Sequence, residues 1–395
     1  MRLIAQLGIA LALSMPEISL CQTANAPDLH RQTALSLEQQ GKIVEAEAAW
    51  RAILKAHPSS PEAYAHLGLL EARQEHYKEA VPFYRKALLI GPDVPGLRLN
   101  LGLALFKGGD LEGALKVFEP LHKTQPENQQ LTTLIGMAHY GLAEYKAAVP
   151  YLKEAAAADP QSMSLRMALA HSCLWTKENQ CVLDVYREIL LINPDSAEAE
   201  MLAGEALDAE KNNSDAIVHF RAAIKANPKE PNAHFGLGYL LWSLKQYKEA
   251  ASEFQAELAN NQEQVLARLY LADSDIQLNQ IADAGPLLEK TVKVEPGNGL
   301  AHLDLGIVYS EAGRNEDALR ELTMAAKIAP DDVNVHWRLG RLYRALGRKD
   351  EAKAEFDKAS TLNKAADEDL YKKIANGQAR PPQTQTPAVP EADKQ

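Results

Sequence analysis

Apolar residues recur along this chain at the three-and-four spacing of amphipathic helices, in short segments separated by polar turns. Between residues 61 and 94 the pattern predicts two helices, Glu62 to Arg73 and Tyr77 to Leu89, joined by a short polar turn. Pro92 closes the second, because proline donates nothing to the helical ladder and restricts the residue before it. The same helix-turn-helix pattern then returns down the chain.

Its period is 34 residues: prolines stand at Pro58, Pro92, Pro126, Pro160, Pro194 and Pro228, miss one beat at Gln262, and resume at Pro296 and Pro330. Extended both ways, this frame gives ten units without insertion or deletion: 27–60, 61–94, 95–128, 129–162, 163–196, 197–230, 231–264, 265–298, 299–332 and 333–366. Other columns keep the frame. The eighth place of every unit is glycine or alanine (Gly68, Gly102 and Gly136 among them), and the twentieth is alanine except at Val182. The twenty-fourth is bulky: Trp50, Tyr84, Phe118, Leu152, Tyr186, Phe220, Phe254, Leu288, Leu322 and Phe356. Small residues on both columns let two helices approach, and the knob one turn on fills the space beside them. Asp93, Ser162, Ser196 and Asp331 or Asp332 follow the prolines, where a cap for the next helix is wanted. Gly108-Gly109-Asp110 is a turn within a unit.

The period and the small-small-knob-proline signature resemble the tetratricopeptide repeat family over 27–366. The resemblance implies an all-α fold, with two antiparallel helices per unit stacked into a right-handed superhelical solenoid. Its concave face is lined by each unit's first helix, and its work is to bind proteins. The lysine and asparagine carboxylate clamp of the family's chaperone-binding members is missing at the corresponding places, so a chaperone-tail function does not transfer.

The ends read differently. Arg2, the apolar run from Leu3 to Leu13 and the small residues Ala24-Asn25-Ala26 predict a signal peptide over 1–26 and an exported, periplasmic or secreted protein. The run of eleven residues is too short to cross a bilayer, so no transmembrane segment is expected. A second reading of Ile18-Ser19-Leu20-Cys21 is a lipobox, which would make an outer-membrane lipoprotein anchored at Cys21; Leu20 is large for that site, and simple secretion is favoured. At the far end, Ala365 to Asn376 predicts a polar capping helix, assigned to 367–377, because a terminal repeat has no neighbour to cover it. The Pro- and Gln-rich stretch 378–395 predicts a disordered tail.

Composition narrows the function. The chain has 46% apolar, 24% charged and 6% aromatic residues, with a formal charge of −11 spread along its length. That balance excludes a nucleic-acid binder, which needs a basic footprint. No phosphate loop, dinucleotide fingerprint, zinc-protease or nucleophile-elbow motif occurs, so no enzyme and no cofactor are expected. His30, His234, His302 and His336 share the fourth place of their units, where the repeat explains them as packing residues; no metal is expected. Cys173 and Cys181 stand near facing helix ends of the fifth unit, and are either a disulfide or two small core residues.

The candidate binding surface follows from the family geometry, which draws the concave face from the second, fifth, ninth and twelfth places. In the third to fifth units these places include Leu99, Leu103, Phe106, Met137, Tyr140, Met167 and His171. The seventh unit offers Phe235, Tyr239 and Trp242 on one helical stripe, and the tenth Trp337, Arg341 and Arg344 with Arg338 beside them. Two readings stay open: packing against the adjacent first helix, or an apolar and aromatic groove for a peptide or protein, with the arginines receiving carboxylates. The function expected is a non-enzymatic scaffold. The alternative is an envelope-assembly accessory, anchored at Cys21, working with an enzyme on another chain.

Overall fold

The computed structural model describes residues 26–375, so the expected signal peptide, Cys21 and the tail lie outside the described residues. Among the described residues every element is a helix. In chain order they are α1 (Ala26–Gln39), α2 (Ile43–Ala56), α3 (Pro61–Arg73), α4 (Tyr77–Ile90), α5 (Leu97–Lys107), α6 (Leu111–Thr124), α7 (Gln129–Gly141), α8 (Tyr145–Ala158), α9 (Met163–Trp175) and α10 (Asn179–Ile192). Then follow α11 (Ala197–Ala209), α12 (Asn213–Ala226), α13 (Ala233–Ser243), α14 (Tyr247–Asn260), α15 (Val265–Gln277), α16 (Ile281–Val294), α17 (Gly299–Glu311), α18 (Asn315–Ile328), α19 (Val333–Ala345) and α20 (Lys349–Ala375). Odd-numbered helices are the first helices of the ten repeats and even-numbered ones the second. The chain divides into two compact units, at Pro228 and Lys229: α1–α12 belong to the first and α13–α20 to the second.

Within each repeat the eighth and twenty-fourth places meet. A Cβ on Gly68, Gly204 or Gly340 would stand 2.8, 3.0 or 2.7 Å from the Tyr84, Phe220 or Phe356 ring, and one on Gly102 would collide with Phe118. The ring therefore lies against bare backbone. Burying such a side chain stabilises the pair by about 1.5–3 kcal/mol.

The turn inside each repeat is built the same way ten times. Its fifteenth place is left-handed throughout: glycine at Gly41, Gly109, Gly313 and Gly347, but Glu75, Ala143, Lys177, Lys211, Lys245 and Asn279 elsewhere. The next N–H donates back to a carbonyl five residues earlier, as from Glu144 to His139 at 2.9 Å and from Arg348 to Tyr343 at 2.9 Å. That bond is the Schellman closure of a helix end. It holds non-glycine residues in a region that costs them roughly 1–2 kcal/mol.

The second helices from α2 to α18 all stop at the thirtieth place, whether or not proline follows. α14 ends at Asn260 although Gln262 replaces the proline. There the Arg268 Nη2 donates to the Gln262 carbonyl at 2.7 Å. His302 and His336 do the same through Nε2 to the Pro296 and Pro330 carbonyls, at 3.0 and 2.8 Å. Their Nδ1 atoms meet Glu321 and Glu355 at 2.7 and 2.6 Å. His302 and His336 are thus polar brackets tying the loop before their repeat to the second helix of the same repeat.

Two expectations are corrected. Of the residues expected to form a separate capping helix, those described, 367–375, continue α20, which runs unbroken from Lys349 to Ala375. Asp93 caps nothing, since α5 starts late, at Leu97, behind a left-handed Gly96. α13 starts the same way behind Asn232. Ser196 and Asp332 cap their helices, whereas Ser162 makes no side-chain cap bond.

Candidate binding face

In the first unit, most of the residues expected to line a groove are core. Leu103, Phe106, Met137 and Met167 are buried, Met137 completely. The packing alternative therefore holds for these four, because flexible aliphatic, thioether and aromatic side chains at the fifth, ninth and twelfth places fill the space between neighbouring first helices. Leu99, Tyr140 and His171 remain partly open. Leu99 borders a cavity of about 360 Å³ with Pro95, Gly96 and Gln125. Tyr140 packs against Tyr145 and His171, and His171 Nε2 lies 2.8 Å from Glu198. Burial raises the Tyr140 and Glu205 pKa values. Trp175, with no place in the sequence-based surface, is 67% exposed and stacked on Tyr145 at 5.6 Å.

Beside that ring, Cys173 and Cys181 form a disulfide, with Cα atoms 5.9 Å apart, which ties α9 to α10. Glu178 is close enough to make a three-ligand group with them, but sulfurs bonded to each other are not thiolates and do not ligate a metal.

The second unit keeps part of its first-helix face open: Leu269 and Leu303 at the fifth place are buried, but none of its ninth-place residues is. Phe235, Tyr239 and Trp242 follow one another along α13, with successive centroids 6.2 and 5.9 Å apart and nearly parallel rings. Tyr239 is 39% exposed. Tyr270 on α15 meets them edge-on, 5.2 Å from Tyr239 and 4.9 Å from Trp242. Its hydroxyl pKa is raised, first by burial and then by Tyr239. Trp242 Nε1 donates to Asp273 at 2.5 Å, which fixes the indole beside a carboxylate. The buried carboxylate of Glu257, on α14, accepts the Phe235 N–H at 3.1 Å and covers the first turn of α13, where Asn232 makes no side-chain cap.

At the other end, on α19, Trp337 is 43% exposed and lies under two guanidinium groups, Arg341 at 4.9 Å and Arg338 at 5.4 Å. Arg344 sits 5.6 Å from the Phe356 ring. These are cation–π contacts, which hold a cation in place without neutralising it. Among the described residues no ion pair involves Arg341 or Arg344, whereas Arg314, Arg320 and Arg348 all have acidic partners. Arg338 is half-buried; burial and then Arg341 lower its pKa, while Glu311 and Asp304 oppose that. Arg338, Arg341, Ile307, Ser310 and Glu311 line a cavity of about 100 Å³.

Between the two ends lies Asp304 on α17, nearly fully buried and with Oδ2 lacking a hydrogen-bond partner. Burial, reinforced by Asp273 and opposed by Arg338, holds its pKa well above the ordinary carboxylate range. Tyr270, Asp304 and Arg338 all occupy the sixth place of their repeats. The sequence reading found Arg338 by its charge and missed the other two. The signal that would have found them is the sixth column itself, which changes from Ala168 and Leu202 to tyrosine, aspartate and arginine.

Comparison with known proteins gives a consistent picture of the repeat. Models described as tetratricopeptide repeat match residues 31–95 and 201–264, residues 71–137, 275–336 and 312–375, and residues 131–162. No curated protein sequence matches the chain. Among similar solved structures is YrrB, described as a tetratricopeptide protein with an unusual peptide-binding site: 19% identity, TM-score 0.42, covering 48% of this chain and 97% of that one. MamA from Desulfovibrio magneticus shares 19% identity at a TM-score of 0.41, covering 43% and 97%. Pseudomonas aeruginosa pilF shares 17% at 0.43, covering 48% and 86%. These likenesses say nothing about what this chain binds. No described helix is long and apolar enough to cross a membrane.

Proposed function

Because the chain belongs to the tetratricopeptide repeat family, a family of protein-interaction scaffolds, we propose that it is a non-enzymatic scaffold that holds a peptide on the first-helix face of its second unit. The observation that carries this reading is the row Phe235, Tyr239, Trp242 and Tyr270, four touching rings left partly open, where Leu103, Phe106, Met137 and Met167 at the same kinds of place in the first unit are buried. Aromatic residues held rigid by one another lose little entropy when they receive a ligand, which is why they serve as anchors. The arginines of α19 supply the second contact, for a carboxylate on the same ligand.

A randomised twelve-residue peptide library panned on the full chain tests the proposal. Binders should emerge, and Tyr239→Ala with Trp242→Ala should weaken them at least roughly 100-fold, the scale of two anchor residues. Binders that ignore both changes would sink it.

We also propose that the protein works outside the cytoplasm. The apolar segment from Leu3 to Leu13 supports this, as does the Cys173–Cys181 disulfide, a bond that persists in oxidising compartments. The mass of the mature amino terminus decides between cleavage near Ala26 and lipidation at Cys21, and an uncleaved, unlipidated chain in the cytoplasm counts against both.

A further inference from the structure

The ninth place of the four repeats in the second unit reads Tyr239, Asp273, Ile307 and Arg341: aromatic, acid, aliphatic, base. Each stands on a first helix, and each is open or partly open. The helices that carry them pack in chain order, α13 on α15, α15 on α17 and α17 on α19. A ligand crossing this face therefore meets four chemically different seats in a fixed sequence.

Charge is what orients it. Asp273 accepts hydrogen bonds from Trp242 and Gln277 but is in no ion pair among the described residues. Arg341 and Arg344 likewise pair with no acid, in a chain that carries 53 acidic side chains against 42 basic ones. The charges between them do not blur the two poles. Arg338 is half-buried and lines one cavity with Glu311, and Asp304 is buried away from the face. One negative pole on α15 and one positive pole on α19 remain, two first helices apart.

Helices in contact lie 8–10 Å apart, so the poles are separated by roughly 20 Å. An extended chain in the polyproline II conformation advances about 3.1 Å per residue with three residues per turn, so that distance is about six residues and every third side chain faces the same way. We propose that this face selects an extended peptide with a basic side chain for Asp273 and an acidic side chain for Arg341 and Arg344, six residues apart, and apolar side chains for the Tyr239 and Ile307 seats at intervals of three. The proposal rests on the reading of this face as a peptide groove, and adds to it a register and a charge pattern.

Synthetic probes test it on the full chain by fluorescence anisotropy. One carries Lys and Glu six residues apart with Leu at the apolar positions, a second carries Lys at both charged positions, and a third places Lys and Glu three apart. The wild type should prefer the first over each of the others at least tenfold. Arg341→Glu with Arg344→Glu makes both poles acidic and should reverse the preference, in favour of the Lys and Lys probe. Equal binding of all three probes by the wild type, a preference for the three-residue spacing, or an unchanged preference in the variant overturns the register. If Tyr239→Ala with Trp242→Ala still abolishes binding in those cases, the groove itself survives and only the charge pattern falls. If no probe binds and panning yields no peptide, both fall together.

Discussion

The two units use the same places of the same repeat for opposite ends. In the first unit the ninth place holds Leu69, Leu103 and Met137, all buried, and Leu35, His171 and Glu205, all partly open. In the second it holds Tyr239, Asp273, Ile307 and Arg341, none of them buried. Helix length does not separate the two faces, since both contain thirteen-residue first helices, such as α7 and α19. What differs is the side chain. A leucine or methionine settles into the gap between adjacent first helices, whereas a phenol, a carboxylate or a guanidinium keeps a polar end that is costly to bury without a partner. A repeat protein can thus close one stretch of its inner face and leave another for a ligand without altering its frame.

The sharpest way to break the comparison is to truncate one residue on each side. Met137→Ala should cost about 2–5 kcal/mol, the range for emptying a filled core site, while leaving peptide affinity within roughly twofold. Trp337→Ala should cost no more than about 1 kcal/mol of stability, because the ring is exposed, and yet weaken peptide binding about tenfold or more. Denaturant melts followed by hydrogen exchange separate the two units, and anisotropy reads the binding. If Met137→Ala weakens the peptide as much as Trp337→Ala, the two faces are one surface and the distinction is wrong.

How far the sequence carried this picture depends on what each residue does. The frame was legible because its columns are made by volume: a glycine such as Gly102 facing Phe118 leaves no choice of size. The aromatic row on α13 was legible as a stripe. The closed half was not, since Met137 and Tyr239 occupy the same place and periodicity cannot say which is covered. Tyr270 and Asp304 escaped notice because the sixth place faces a neighbouring helix, and their partners are a repeat away in sequence. The left-handed turns were hidden for another reason. Ala143 and Lys177 adopt a conformation that composition assigns to glycine, held there by backbone bonds no side chain announces.

The covalent brace gives a second, smaller test. The first unit contains the Cys173–Cys181 bond, and the second unit contains no cysteine. With a sequence separation of 8, the chain-entropy estimate of its contribution is about 2–3 kcal/mol. Cys173→Ala with Cys181→Ala should lower the urea midpoint of the first unit alone, and reductant should do the same to the wild type and nothing to the variant. A loss shared equally by both units would mean that they unfold as one, and that their faces cannot be stabilised independently.

The least of the expected effects concerns acidity, and it points at the second unit. Its first helices carry buried acids at the eleventh and sixth places, Asp275 and Asp304, where the first unit has mainly uncharged residues such as Leu105, Cys173 and Leu207, and Leu134, Ala168 and Leu202; the first unit's buried first-helix acid, Glu38, is at the twelfth place and accepts from Trp50 Nε1. Burial, with Asp283 next in weight, raises the Asp275 pKa from 3.8 to about 6. The folded state therefore keeps a proton that the unfolded chain has already released. For an acid whose pKa rises on folding, the protonated form is the favourable one, so its contribution is intact below about pH 3.8 and is lost as the pH climbs toward about 6. Asp275→Asn removes the titration and keeps the shape. At pH 7 the variant should be more stable than the wild type by roughly 1 kcal/mol or more, since each unit of pKa shift is worth about 1.4 kcal/mol. The difference should close as the pH falls to about 4, in melts that follow the second unit, with the first unit indifferent. A variant no more stable than the wild type at pH 7, or a gap that widens in acid, would mean that the Asp275 carboxylate is well solvated in the fold, and that the buried acids do not set the second unit apart.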